Sequence, residues 1–163
     1  MIKLAGGGGG GSGSPLIAFQ NSRASAVFGL GGPNQVAISG FVLQWPLKFA
    51  NITVYPYAAD AAGLYDIGIY NKAGKLIANI GPQAIALGEP TFPTLQGSQT
   101  IEPDIYLFAF TGNADVAQLS EDAQALTWVF NGNVAASVGG TLPAAIGAVA
   151  VAPSFYAATF VLS

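Results

Sequence analysis

Side chains able to move a proton or hold an ion are few in this chain, and their spacing limits what they can do. Of 163 residues, eight are Asp or Glu, five are Lys or Arg, and none is His or Cys. The acids that fall near one another are Asp60 with Asp66, Glu102 with Asp104 across Pro103, and the adjacent Glu121 and Asp122. A glycosidase needs two carboxylates across a sugar cleft, with aromatic and polar side chains that hold the ring. These acids are spread through turn-like contexts without that surrounding set, so ordinary solvated loop charge is the expectation. A calcium loop is equally unsupported, because no Asp-rich loop spacing is present.

The missing residue types remove further chemistry. Without His there is no Ser-His-Asp relay and no imidazole metal ligand. Without Cys there is no thiolate nucleophile, structural zinc site or disulfide. The five basic residues, Lys3, Arg23, Lys48, Lys72 and Lys75, are too scattered to neutralise a nucleic-acid backbone. The sequence therefore predicts no catalytic residue, no cofactor, no metal and no nucleic-acid partner: a non-enzymatic chain.

Two glycine-rich stretches imitate nucleotide motifs. Gly6 to Gly11, followed by Ser12-Gly13-Ser14-Pro15, lacks the Gly-Lys-Ser/Thr ending of a phosphate loop, and no strand precedes it. It reads as a flexible or docked arm over residues 1–15, with Lys3, Gly6, Gly11 and Pro15 as candidate assembly residues. Gly29-Leu30-Gly31-Gly32-Pro33 has the wrong spacing for a dinucleotide fingerprint and reads as a turn.

Aromatic residues offer a binding chemistry instead. Trp45 sits in Gln44-Trp45-Pro46, while Tyr55, Pro56 and Tyr57 end an alternating run. Exposed Trp and Tyr can stack on sugar rings, but core or subunit-interface packing uses the same residues and is the weightier expectation. Trp128, within Leu126 to Phe130, reads as core.

The elements that must position these residues read as strands. Residues 16–163 form one domain of suitable length. In Phe49 to Tyr57, Ala50, Ile52 and Val54 share one face; in Leu64 to Tyr70, Tyr65, Ile67 and Ile69 share one, with Asp66, Gly68 and Tyr70 opposite. Asn71-Lys72-Ala73-Gly74 then turns the chain, with Gly supplying a left-handed residue, and Lys75 to Ile80 returns as the second strand of a hairpin. Ile105 to Thr111 is apolar on both faces, as in a strand covered on both sides. Val36 to Leu43 is a further strand with a bulge expected at Gly40; Leu126 to Phe130 and Phe155 to Leu162 are others. Asp115 to Ala125 offers one or two helical turns. The class is all-β, an antiparallel β-sandwich with a jelly roll as the leading topology.

The surface such a domain needs is short of charge. The chain is 8% charged and 52% hydrophobic, against roughly 25% charged in an ordinary soluble protein. A monomer of this size exposes about 7,500 Å2, so 13 charges give about one per 580 Å2. Much of the surface is therefore expected to be buried against partners. Asp122 is the last charged residue. Ala144 to Ala152, the longest unbroken apolar piece after it, falls short of the about 20 residues that cross a membrane. No apolar run follows Lys3, so no secretory signal is expected.

Tyr65-Asp66-Ile67-Gly68-Ile69-Tyr70-Asn71 with Gly74-Lys75-Leu76-Ile77-Ala78 resembles a hairpin of jelly-roll domains in bacteriophage fibres and related virion proteins. Ile52-Thr53-Val54-Tyr55 and Pro103-Asp104-Ile105-Tyr106-Leu107-Phe108-Ala109 extend the likeness over residues 50–112, with Asp104 standing where that pattern has Gly. The glycine-rich start is similar to the anchoring tails of phage accessory proteins. The resemblance implies a virion protein: a capsid decoration, head-fibre or short tail-fibre component. It would form a symmetric homo-oligomer, a trimer by preference, and contact capsid or tail proteins. A receptor- or glycan-binding module, at a phage tip or on a bacterial surface and reading a host surface glycan, is the alternative. The charge pattern adds that both ends of the chain are contact regions, while Asp60, Asp66, Lys72 and Lys75 face solvent.

Overall fold

The computed structural model describes residues 17–18, 26–28, 32–58, 62–114, 118–122, 131–147, 149, 157–158 and 160–163. In chain order the first strands are β1 (Ile17–Ala18), β2 (Ala26–Phe28), β3 (Gln35–Val42), β4 (Leu47–Phe49), β5 (Asn51–Val54), β6 (Pro56–Ala58), β7 (Tyr65–Asn71) and β8 (Leu76–Asn79). Then follow β9 (Thr91–Pro93), β10 (Gln99–Ile101), β11 (Ile105–Gly112), β12 (Gln118–Asp122), β13 (Asn131–Ala136), β14 (Ala157–Ala158) and β15 (Phe160–Leu162). All pairings are antiparallel. A five-stranded sheet runs β13-β3-β11-β7-β8 and a four-stranded sheet runs β1-β15-β5-β9. β4 pairs with β10, while β12 pairs with β2, β6 and β14.

The fold is an all-β antiparallel sandwich, and the alternation of side chains explains how its layers close. On β5, Ile52 and Val54 are fully buried while Asn51 and Thr53 turn outward. On β7, Tyr65, Ile67 and Ile69 enter the main core, and on β11 so do Tyr106, Phe108 and Phe110. From the other sheet β15 contributes Phe160 and Leu162. The rings of Phe108 and Phe160 stack across this interior at 4.4 Å between centroids, and Phe41 meets Phe160 edge-on at 5.2 Å. These contacts join the two sheets face to face.

The second face of the five-stranded sheet is covered too. Val36, Ile38, Leu107, Ala109 and Tyr70 pack there with Leu142, and Ile146 and Val149 lie against them. The expected two-sided burial of the 105–111 strand is thus met: its odd and even positions serve different cores. Part of the uncharged C-terminal stretch forms this cover on the chain's own sheet. Among the described residues no helix is long and apolar enough to cross a membrane.

Three expectations are corrected. Gln118–Asp122 is extended, not helical; its three strand partners supply more pairing than one isolated helical turn could, so tertiary context overrides local pattern. Gly40 carries no bulge against β11, for Leu107↔Gly40 lies within an unbroken register from Ile105↔Val42 to Phe110↔Ala37. The register shift on β3 arises against β13, between Asn133 and Ala136. Third, Asp66 does not face solvent: it is fully buried. Its even position on β7 points to the covered outer face, where the segment after Gly140 closes over it. The arm residues Lys3, Gly6, Gly11 and Pro15, together with Asp60 and the 126–130 run, lie outside the described residues.

Candidate functional site

The hairpin at residues 65–80 organises the best-defined polar site. Asn71 starts the turn: its Oδ1 accepts the N–H groups of Ala73 and Lys75, both at 3.0 Å. Gly74 follows at φ 77°, a left-handed conformation that favours glycine. A β-carbon on Gly74 would also fall 2.0 Å from the Gly147 carbonyl oxygen. The same position therefore shapes the turn and seats the covering segment. Gly74→Ala is expected to destabilise the fold by about 2–3 kcal/mol, checked by urea unfolding.

Behind the turn, Asp66 gathers donors from three parts of the chain. Its Oδ2 accepts Asn79 Nδ2 at 2.7 Å and the Leu142 N–H at 2.9 Å, and its Oδ1 accepts the Gly81 N–H at 2.9 Å. Burial raises the carboxyl's pKa, and these hydrogen bonds pull against that rise. Asn79 relays outward: its Oδ1 accepts Gln96 Nε2 at 2.7 Å, and its backbone N–H donates to Gln96 Oε1 at 2.9 Å. Tyr70 donates its hydroxyl to the Pro143 carbonyl at 2.6 Å, and its pKa is driven up by burial and by the Asp66 charge. The Leu76 N–H donates to Ala144 O and the Ile146 N–H to Gly74 O. This set fastens residues 142–146 to the sheet. It contains a carboxylate with its acceptor positions occupied by donors of the protein itself, which suits holding rather than turnover.

In the acid pair Glu102 and Asp104, the Asp104 carboxylate and the Glu102 backbone carbonyl hold structure. Asp104 Oδ1 accepts the Ile105 N–H at 2.8 Å and Lys72 Nζ at 3.0 Å, and these bonds hold its carboxyl below its ordinary pKa. The Tyr106 hydroxyl donates to Glu102 O at 2.8 Å. So the position that departs from the resembling pattern ties the turn to the hairpin. Side chains of Glu121 and Asp122 lie outside the described residues.

The aromatic candidates lie on different elements. Trp45 is 55% exposed on the loop between β3 and β4. Tyr57 is 63% exposed on β6, beyond the nearly continuous extended run that starts at Leu47. Trp45 precedes β4, which pairs with β10, whereas Tyr57 stands on β6, which pairs with β12. Neither is a core residue. Tyr55 and Tyr57 do share the outward side of one chain run with Thr53, whose hydroxyl lies 2.7 Å from that of Thr91 on β9. Glu89 lies near Tyr55: its charge and burial together raise the phenol's pKa, burial contributing more.

Two exposed leucines went unmarked in the sequence, Leu87 at 65% and Leu95 at 69%. The signal available was an isolated leucine in a Gly- and Pro-rich stretch without periodicity.

The fold defines the chain as an antiparallel β-sandwich with a buried, hydrogen-bonded Asp66 under the segment after Gly140. Comparison with known proteins finds no matching family, no matching curated protein and no matching solved structure.

Proposed function

We propose that this chain is a non-enzymatic structural protein of a bacteriophage virion, a capsid decoration, head-fibre or short tail-fibre component. It assembles as a symmetric homo-oligomer, a trimer by preference, with jelly-roll connectivity, and attaches to capsid or tail proteins through its N-terminal arm. The observation that carries the reading is where the resembling stretches fall. Residues 65–78 and 103–109 supply β7, β8 and β11, which are consecutive in one sheet, and residues 52–55 supply β5, which faces them across the core. A likeness scattered along the sequence thus maps onto one packed unit. The charge-poor composition supports the same reading, because a surface with few charges is suited to burial between subunits. Gold-labelled antibody against the chain should decorate intact phage particles in electron micrographs; label confined to unassembled protein would overturn the assignment.

The alternative reading, a glycan-binding module, is favoured by the outward row of Thr53, Tyr55 and Tyr57 beside Thr91 and Glu89. Flat rings with hydroxyl and carboxylate neighbours can stack on and hydrogen-bond to sugar. A glycan array with hits lost in Tyr57→Ala would support it, and an array without hits would remove it.

A further inference from the structure

We propose that residues 141–147 are a strap that lifts off the outer face of the five-stranded sheet as one unit, turning about Gly139-Gly140 and Gly147, while the main core stays closed. The device does not depend on the virion reading.

The fastenings of the strap land on one hairpin. The Leu142 N–H donates to Asp66 Oδ2 at 2.9 Å and the Tyr70 hydroxyl to Pro143 O at 2.6 Å, both on β7. The Leu76 N–H donates to Ala144 O at 3.0 Å and the Ile146 N–H to Gly74 O at 2.9 Å, with Lys75 and Ala145 bridged between them. Bonds in one register along one partner are lost together, so the strap opens cooperatively. Little apolar burial backs them. Within 141–147 Leu142 alone is buried; Pro143 and Ile146 are half-buried, and Thr141, Ala144, Ala145 and Gly147 are exposed. A segment with few buried apolar side chains and hydrogen bonds near solvent lies at the low end of local stability.

What lies beneath is separate from the main core. Leu142 packs with Val36, Ile38, Leu107 and Ala109, while Phe108, Phe110 and Phe160 belong to the other cluster. Lifting the strap uncovers the first set and leaves the stack of Phe108 on Phe160 in place. The ends of the strap suit turning. Gly139 has φ 60°, Gly140 φ 73° and Gly147 φ 74°, left-handed conformations from which glycine moves at little cost. A β-carbon at Gly139 or Gly147 would meet nothing within 4 Å, so it is the backbone, not lack of space, that calls for glycine there.

Residue-resolved amide hydrogen exchange of the full wild-type chain tests this. The N–H groups of Leu76, Leu142 and Ile146 should share one opening free energy and exchange at least about tenfold faster than those of Phe108 and Phe110. Exchange at the core's rate, or three different opening free energies, would overturn the proposal. A clamp gives the second measurement. Lys75 and Ala145 are exposed and stand opposite one another, at the spacing a disulfide needs, and the chain has no cysteine of its own. In Lys75→Cys with Ala145→Cys, oxidation should bring the three strap amides down to the core's rate, and reduction should restore the gap. A gap that persists in the oxidised form would contradict the opening, and cysteines that do not pair would contradict the seating of the strap.

Discussion

Asp66→Ala is expected to lower stability by about 3–5 kcal/mol, because it strands three buried donors whose individual loss costs about 1–3 kcal/mol each. The donors are Asn79 Nδ2 and the N–H groups of Gly81 and Leu142. They sit on β8, the residue after Ile80, and the covering segment, so one truncation loosens three elements together. Urea unfolding of wild type and variant measures the difference, and a loss below about 1 kcal/mol would show that water replaces the carboxylate without penalty. Asp66→Asn should cost less, since it keeps one acceptor oxygen. The pair also carries a pH signature. Burial sets the folded carboxyl's pKa above its unfolded value, so the folded state holds this proton more tightly. The resulting stabilisation is complete below the unfolded pKa and fades as pH rises through the folded one. The stability of wild type relative to Asp66→Asn should therefore fall as pH is raised from the acid range toward neutrality. A difference that grows over that interval would contradict the assignment.

Phe108→Ala is expected to cost about 3–5 kcal/mol, the range for removing a buried aromatic ring from a core. Phe108 is fully buried on β11, and its stacking partner Phe160 comes from the opposite sheet. The cavity would open at the join between layers, where neither sheet can collapse without moving its neighbours. Val138→Ala, at an 85% exposed site, should stay within about 0.5 kcal/mol. Thermal and urea unfolding of both variants check the contrast; similar losses at the two sites would place the core elsewhere.

The strands were legible where side-chain period and turn chemistry agree. Tyr65, Ile67 and Ile69 alternate, Asn71 and Gly74 supply the turn, and the hairpin forms there. The two-sided burial of Ile105 to Thr111 was visible as an apolar run. Asp66 was misread because a lone carboxylate beside a loop looks solvated in sequence. Its burial depends on Leu142, 76 residues away, and no local pattern reports such a partner. The signal in hand was its company, since Asp66 stands between Tyr65 and Ile67 in an otherwise apolar strand. Gln118–Asp122 was misread for a related reason: Val116 and Leu119 with Glu121 and Asp122 suit one or two helical turns, but three distant strands claim its backbone. Of the aromatic candidates, the alternation that buries Ile52 and Val54 was legible, and with it the outward side that Thr53, Tyr55 and Tyr57 share.

The central claim, a structural subunit that works as a homo-oligomer, is tested most directly by the mass of the full chain in solution. Size-exclusion chromatography with light scattering at low micromolar concentration should give about 50 kDa, three copies of 16.5 kDa. A stable species of 16.5 kDa under the same conditions would contradict the account.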